Sequence, residues 1–221
     1  MKPALESLLR EHPRSLWRGL HSPGYEATAR GGDSALLKTG QEELDRLLGG
    51  WPRGGITEIH SSTPGIGELR LLLPVLASLS QQQKRWILWV TPPYLPYPPA
   101  LAAAGLRLER MLCLHPRQRQ DRLWALESAL RSGTCSAVLA WPPPLDTTAW
   151  RRLQLAAQAG DTAAFFFFNE GEQQGAGWAA LRLQLHPDRR GVAVTVQKRR
   201  GGMPGRGVVS LPEGEQLPLA I

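Results

Sequence analysis

Lysine is scarce in this chain. Of its 26 basic residues only Lys2, Lys38, Lys84 and Lys198 are lysines, so the formal charge of +7 is carried almost wholly by arginine. Arginine favours two-point contacts to phosphate and carboxylate. A basic balance admits nucleic acid or an acidic protein as partner without choosing between them, and an arginine-favouring, GC-rich genome gives the same composition. Cysteine is scarcer still. Cys113 and Cys135 both lie in strand-like apolar runs, which disfavours a disulfide or metal pair and predicts two buried free thiols in a cytoplasmic protein. Long apolar runs are missing: none reaches the roughly 18 residues of a membrane-spanning helix, and the first residues lack the apolar region of a secretory signal. The five histidines are scattered without metal-ligand spacing, and no Ser-His-Asp pattern stands out. There are no internal repeats.

What is present is an alternation of short apolar segments. Residues 1–20 read as an N-terminal helical segment, with Leu5, Leu8 and Leu9 at helical spacing, followed by a flexible, small-residue linker over 21–38. From Thr39 the pattern tightens. Helices are predicted at 41–48, 68–80, within 94–105, at 121–131 and at 147–159, the last capped by Thr147. Strands are predicted at 56–60, 85–90, 111–114, 137–140 and 163–168, the last apolar on both faces and therefore central. Three alternating segments, 181–185, 192–197 and 208–211, read as antiparallel strands. The expected fold class is α/β: a core over 39–212 with a mostly parallel central sheet, flanking helices and antiparallel C-terminal edge strands, then a tail over 213–221.

The stretch from Glu58 to Leu69 falls where a nucleotide-binding protein of this layout carries its phosphate loop, G-x-x-x-x-G-K-[ST], in which backbone N–H groups and Lys hold phosphates and the hydroxyl binds Mg²⁺. Gly67 is retained, but Ser62 replaces the first Gly, Glu68 the Lys and Leu69 the hydroxyl residue. A charge pair about 5 Å apart at an effective dielectric near 20 is worth roughly 3 kcal/mol. Reversing the sign at position 68 therefore costs more than about 5 kcal/mol per nearby phosphate charge, over three orders of magnitude in affinity. Glu68 is instead expected in the first turn of its own helix, where the dipole favours a carboxylate.

The run Thr39-Gly40, Leu44-Asp45, Leu48-Gly49-Gly50, Gly54 and Glu58 resembles the approach to the core of RecA-family proteins. That resemblance implies further losses. Thr91 stands at the place of the glutamate that activates water, Trp141 at that of the Walker-B aspartate, and Asn169-Glu170 at that of an Asn-Gln γ-phosphate sensor. It implies no catalytic residue, no cofactor and no metal. Blocks such as Gly67-Glu68-Leu69-Arg70-Leu71-Leu72-Leu73-Pro74, Pro92-Pro93-Tyr94 and Leu130-Arg131-Ser132-Gly133 narrow the likeness: the chain resembles the ImuA family. This implies a non-catalytic accessory protein of damage-induced translesion DNA synthesis that binds ImuB, with RecA and a DnaE-type error-prone polymerase as further partners. Residues from about Gly67 to Phe168 also resemble SulA, a family that blocks division by binding FtsZ. SulA chains are shorter and lack the segments 39–58 and 198–211, so length favours ImuA.

Three surfaces are candidates for partner or DNA contact. Lys198, Arg199, Arg200 and Arg206 lie in a segment, 188–206, with six basic residues against Asp188 alone; DNA could be held there, or the segment is a solvated basic hairpin. Tyr94 and Tyr97 sit among prolines, as an interface or as a rigid lid. Leu5, Leu8 and Leu9 could dock on a neighbour or fold on their own core.

Overall fold

The computed structural model of the chain describes residues 36–172 and 177–211. The expected N-terminal helix with Leu5, Leu8 and Leu9, most of the expected linker and the tail lie outside the described residues. Within them, Leu36–Leu37 (β1) and Trp51–Pro52 (β2) form a two-stranded sheet. The main sheet has eight strands: Gly55–Ser61 (β3), Trp86–Val90 (β4), Met111–Leu114 (β5), Cys135–Ala140 (β6), Ala163–Asn169 (β7), Leu181–Asp188 (β8), Gly191–Arg199 (β9) and Gly205–Ser210 (β10). Their order is β10-β9-β8-β3-β7-β6-β4-β5. All neighbours from β8 to β5 are parallel, and β8–β9 and β9–β10 are antiparallel. The mixed α/β architecture with a mostly parallel sheet and antiparallel edge is thus as expected.

Among the described residues five α-helices accompany the strands: α1 (Glu42–Leu48), α2 (Leu73–Gln82), α3 (Pro98–Ala103), α4 (Arg119–Arg131) and α5 (Thr147–Ala159). Strand side chains alternate between the two faces, and the sequence Phe165-Phe166-Phe167-Phe168 shows the result. Phe165 and Phe167 enter one core with Leu44 and Leu48 of α1, Leu76 of α2 and Leu101 of α3. Phe166 and Phe168 enter the other with Leu126 of α4 and Trp150 and Leu153 of α5. A strand apolar on both faces is what a central position between two helical layers requires.

The Thr39–Asp45 motif has a local structural explanation. The Thr39 amide donates to Asp45 Oδ1 at 2.8 Å, Gln41 Nε2 donates to the Arg70 carbonyl at 3.1 Å, and Gly49 closes α1 with φ 71°. Gly40, at φ +80°, lies against Pro74, which a Cβ would meet at 2.6 Å.

Three expectations need correction. Helix α2 begins at Leu73 rather than Glu68, because Pro74 stands at its start; a helix reaching back to Glu68 would place that ring against the Arg70 carbonyl, which Gln41 occupies. The cap of α5 is Asp146, whose carboxylate accepts from the Ala149 amide at 2.7 Å, rather than Thr147. Both cysteines are free, but only Cys135 is buried; Cys113 is exposed because β5 is the last strand of the sheet. Among the described residues no helix is long and apolar enough to cross a membrane.

Candidate functional site

The C-terminal ends of β3, β4, β6 and β7 bring the four substituted positions together, and each is closed by contacts within the chain. After β3 the backbone turns through Gly65 and Gly67, at φ 83° and 109°. Their amides donate to the two oxygens of Glu68, at 2.9 Å to Oε1 and 3.1 Å to Oε2. These are donors of the kind a phosphate loop turns on its ligand; here a carboxylate of the loop itself takes them. Residues 68–72 form hydrogen-bonded turns before α2, with the Leu73 amide on the Leu69 carbonyl at 2.9 Å. Glu68 therefore has a structural role, through the loop amides rather than through the dipole of its own helix. Ile66 and Leu69 pack partly into the core. Gly67 lies against the C-terminal strands, where a Cβ would meet Leu211 Cδ1 at 2.5 Å and Val192 Cγ2 at 3.1 Å.

Trp141, following β6, is half-buried and stacked. Its ring lies 4.4 Å from Phe167 at an interplanar angle of 10° and 6.1 Å from Trp89 at 18°. Thr91 donates through Oγ1 to the Trp141 carbonyl at 3.1 Å. The Asn169 side chain donates to Glu172 Oε1 at 2.7 Å, and its amide to Glu172 Oε2 at 2.9 Å. An aromatic stack fills the place of the Walker-B carboxylate, and the carboxylates of Glu68 and Glu172 are taken up by backbone amides and the Asn169 side chain. Among the described residues no group of three or more His, Cys, Asp or Glu is arranged to hold a metal.

The basic segment lies elsewhere. Leu181 pairs with Arg199 across β8–β9, and Thr57 with Leu181 across β3–β8. Lys198, Arg199 and Arg200 are therefore at the N-terminal end of the parallel strands, opposite the Glu68 loop. Lys198 Nζ donates to the Ala179 carbonyl at 2.8 Å and to that of Gly177. Arg199 donates to the Leu47 carbonyl at 3.1 Å and lies over Gly202, where a Cβ would meet Nε at 1.9 Å. Arg200 and Arg206 are exposed. Burial, with Arg182 and Arg200 nearby, pushes the Lys198 ammonium below the ordinary lysine range, partly offset by Glu58. Tyr94 and Tyr97 are exposed in the segment before α3, beside Leu95. The sequence-predicted positions thus fall into three separate places: the closed loop, the hairpin and the proline-rich segment.

Two features went unrecognised in the sequence. Glu58, fully buried in the middle of β3, binds Arg182 of β8 at 2.7 Å and lies 3.2 Å from His60 Nε2. Its signal was a Glu between Ile56 and Ile59 in a predicted strand. The other is Trp124, which is 73% exposed on α4; it lies off the Leu126–Leu130 stripe that faces the core.

The comparisons with known proteins fit this middle region. The family model for the cell division inhibitor SulA matches residues 54–164. The Edwardsiella piscicida protein named cell division inhibitor SulA is 38% identical over 125 residues, covering 57% of this chain and 73% of the relative. The SulA of Pectobacterium atrosepticum is 40% identical over 117 residues, covering 52% and 69%. The chain belongs to the SulA family. A crystal structure of SulA from Pseudomonas aeruginosa is similar at 33% identity and a TM-score of 0.43, covering 52% of this chain and 97% of that one. The SulA match begins just before β3 and ends at the start of β7, so it includes the Glu68 loop and Trp141. These relatives are SulA proteins, and the narrower ImuA resemblance gains no support from them.

Proposed function

We propose that this protein acts by binding rather than by catalysis, as a SulA-type cytoplasmic inhibitor of cell division whose partner is FtsZ. The carrying observation is the SulA match over residues 54–164 together with relatives at 38% and 40% identity. The geometry supports the non-catalytic half of the reading: the loop amides that could hold a phosphate hold Glu68, and Trp141 is stacked between Phe167 and Trp89. Expression of the full chain in a rod-shaped bacterium should give filaments. Purified protein should bind FtsZ directly and suppress its GTP-dependent assembly. Normal division at high expression, with no FtsZ binding, would sink this reading.

A second reading rests on what the SulA model leaves unmatched. Residues 1–53 and 165–221, including β8, β9 and β10, lie beyond it. An ImuA-type accessory role, with ImuB as partner, RecA and a DnaE-type polymerase as further partners and DNA on the basic hairpin, would use those segments. Co-purification with ImuB and loss of damage-induced mutagenesis on deletion would favour it; unchanged mutagenesis would remove it.

A further inference from the structure

We propose that the groove between α4 and α5 is a docking site for an acidic, amphipathic segment of a partner protein, anchored on Trp124. The groove encloses about 230 Å³ and is lined by Leu123, Trp124, Ala149, Leu153 and the Glu127–Arg152 ion pair, among others. Its floor is aliphatic. One wall is a tryptophan that the protein leaves 73% exposed, although a Trp side chain is among the costliest to keep in water and among the most productive interface anchors.

The charge around the groove states what fits it. The two helices with the lead-in to α4 and the cap of α5, residues 117–131 and 146–159, carry Arg117, Arg119, Arg122, Arg131, Arg151 and Arg152 against Asp121, Glu127 and Asp146. At the groove itself the Glu127 carboxylate serves two guanidiniums, Arg131 at 2.7 Å and Arg152. That leaves a net positive charge at its end. A segment with apolar residues along one face would cover Trp124 and Leu123 while its carboxylates met the excess arginines. A second copy of this chain is a poor occupant: it would bring a net charge of +7 and the same basic face. The inference concerns a surface within the family-matched region and does not depend on which partner the function uses.

The test uses the full chain and a fluorescein-labelled helical peptide with Leu along one face and Glu on the others. A version with Lys for Glu and a single-stranded oligothymidylate serve as competitors. Saturable binding of the Glu peptide is expected, weakening by about 10-fold or more in Trp124→Ala and similarly in Arg152→Glu. It should fall as salt rises from about 0.05 to 0.5 M. Trp124→Phe should recover part of the loss, and circular dichroism should show each variant folded. The proposal is overturned if the Glu peptide fails to saturate, if the Lys peptide binds as well, if Trp124→Ala binds unchanged, or if the oligothymidylate displaces the peptide and is itself lost on Trp124→Ala.

Discussion

Glu58 and Arg182 face each other in register across the parallel β3–β8 pair, with Arg182 Nε 2.7 Å from Glu58 Oε2 and its Nη2 3.3 Å from Oε1. The carboxylate is fully buried and the guanidinium nearly so. This pair joins the helix-flanked parallel sheet to the antiparallel extension at the β3–β8 seam. Removing Arg182 takes the guanidinium from a buried carboxylate that keeps His60 at 3.2 Å; breaking a buried pair costs about 3–5 kcal/mol, whereas replacing both partners by apolar groups is often neutral or stabilising. Arg182→Met should therefore lower the urea midpoint sharply, and Glu58→Leu combined with Arg182→Met should recover most of it. Equal losses in the single and double variants would show that the pair is not coupled in this way.

Glu68→Ala should cost about 1 kcal/mol through the two amides it leaves without their acceptor, read as a drop in Tm. Restoring the pattern by Ser62→Gly, Glu68→Lys and Leu69→Thr together should still give no heat on titration with Mg-ATP, because Trp141 remains stacked where a metal ligand would be needed. Micromolar binding by the triple variant would show the loop to be the only obstacle.

Trp141→Ala removes a half-buried ring from between Phe167 and Trp89 and should cost about 2–4 kcal/mol. Trp141→Asp should cost more, since a carboxylate would enter an aromatic stack. Loss of near-ultraviolet circular dichroism, beside an unfolding curve, would check both.

Sequence reasoning reached the sheet and most of the helices because each has its own periodicity and its own stop. Gly49, Gly133 and Gly160 punctuate the chain where the helices end, and the Phe165–Phe168 run could only be central. What it missed depends on contacts between distant segments. No local pattern says that Glu58 will meet a residue 124 positions later, or that the Glu68 side chain will fold back on two amides. The start of α2 was legible in Pro74 and was overridden by the leucine spacing. The exposure of Cys113 follows from the order of strands, which alternation alone does not give.

Thiol labelling separates the two cysteines. Burial pushes the Cys135 thiol above its ordinary range, and partial desolvation at the exposed Cys113 acts in the same direction, so labelling at neutral pH should be slow. One equivalent, at the exposed Cys113, should react with Ellman's reagent in the native protein and quicken as pH rises. The second, at Cys135, should appear only on denaturation. Two equally fast thiols would contradict the burial of Cys135.

Lys198 gives an alkaline signature. Its folded pKa lies below the ordinary lysine value of 10.5, so the unfolded chain binds more protons in the interval between the two. Its contribution to stability must then rise with pH through that interval. The difference in urea midpoint between wild type and Lys198→Met should shift in favour of wild type between the lowered folded value and 10.5. A difference that stays flat would show that Lys198 titrates normally.

A loop that binds nucleotide has at least two conditions, loaded and empty, and the ratio of ATP to ADP sets their proportions. The loop from Ser62 to Leu69 carries its anion, the Glu68 carboxylate, as part of the chain. Its two amides are turned on Glu68 rather than on a dissolved phosphate, and the Mg-ATP titration above reads that difference directly.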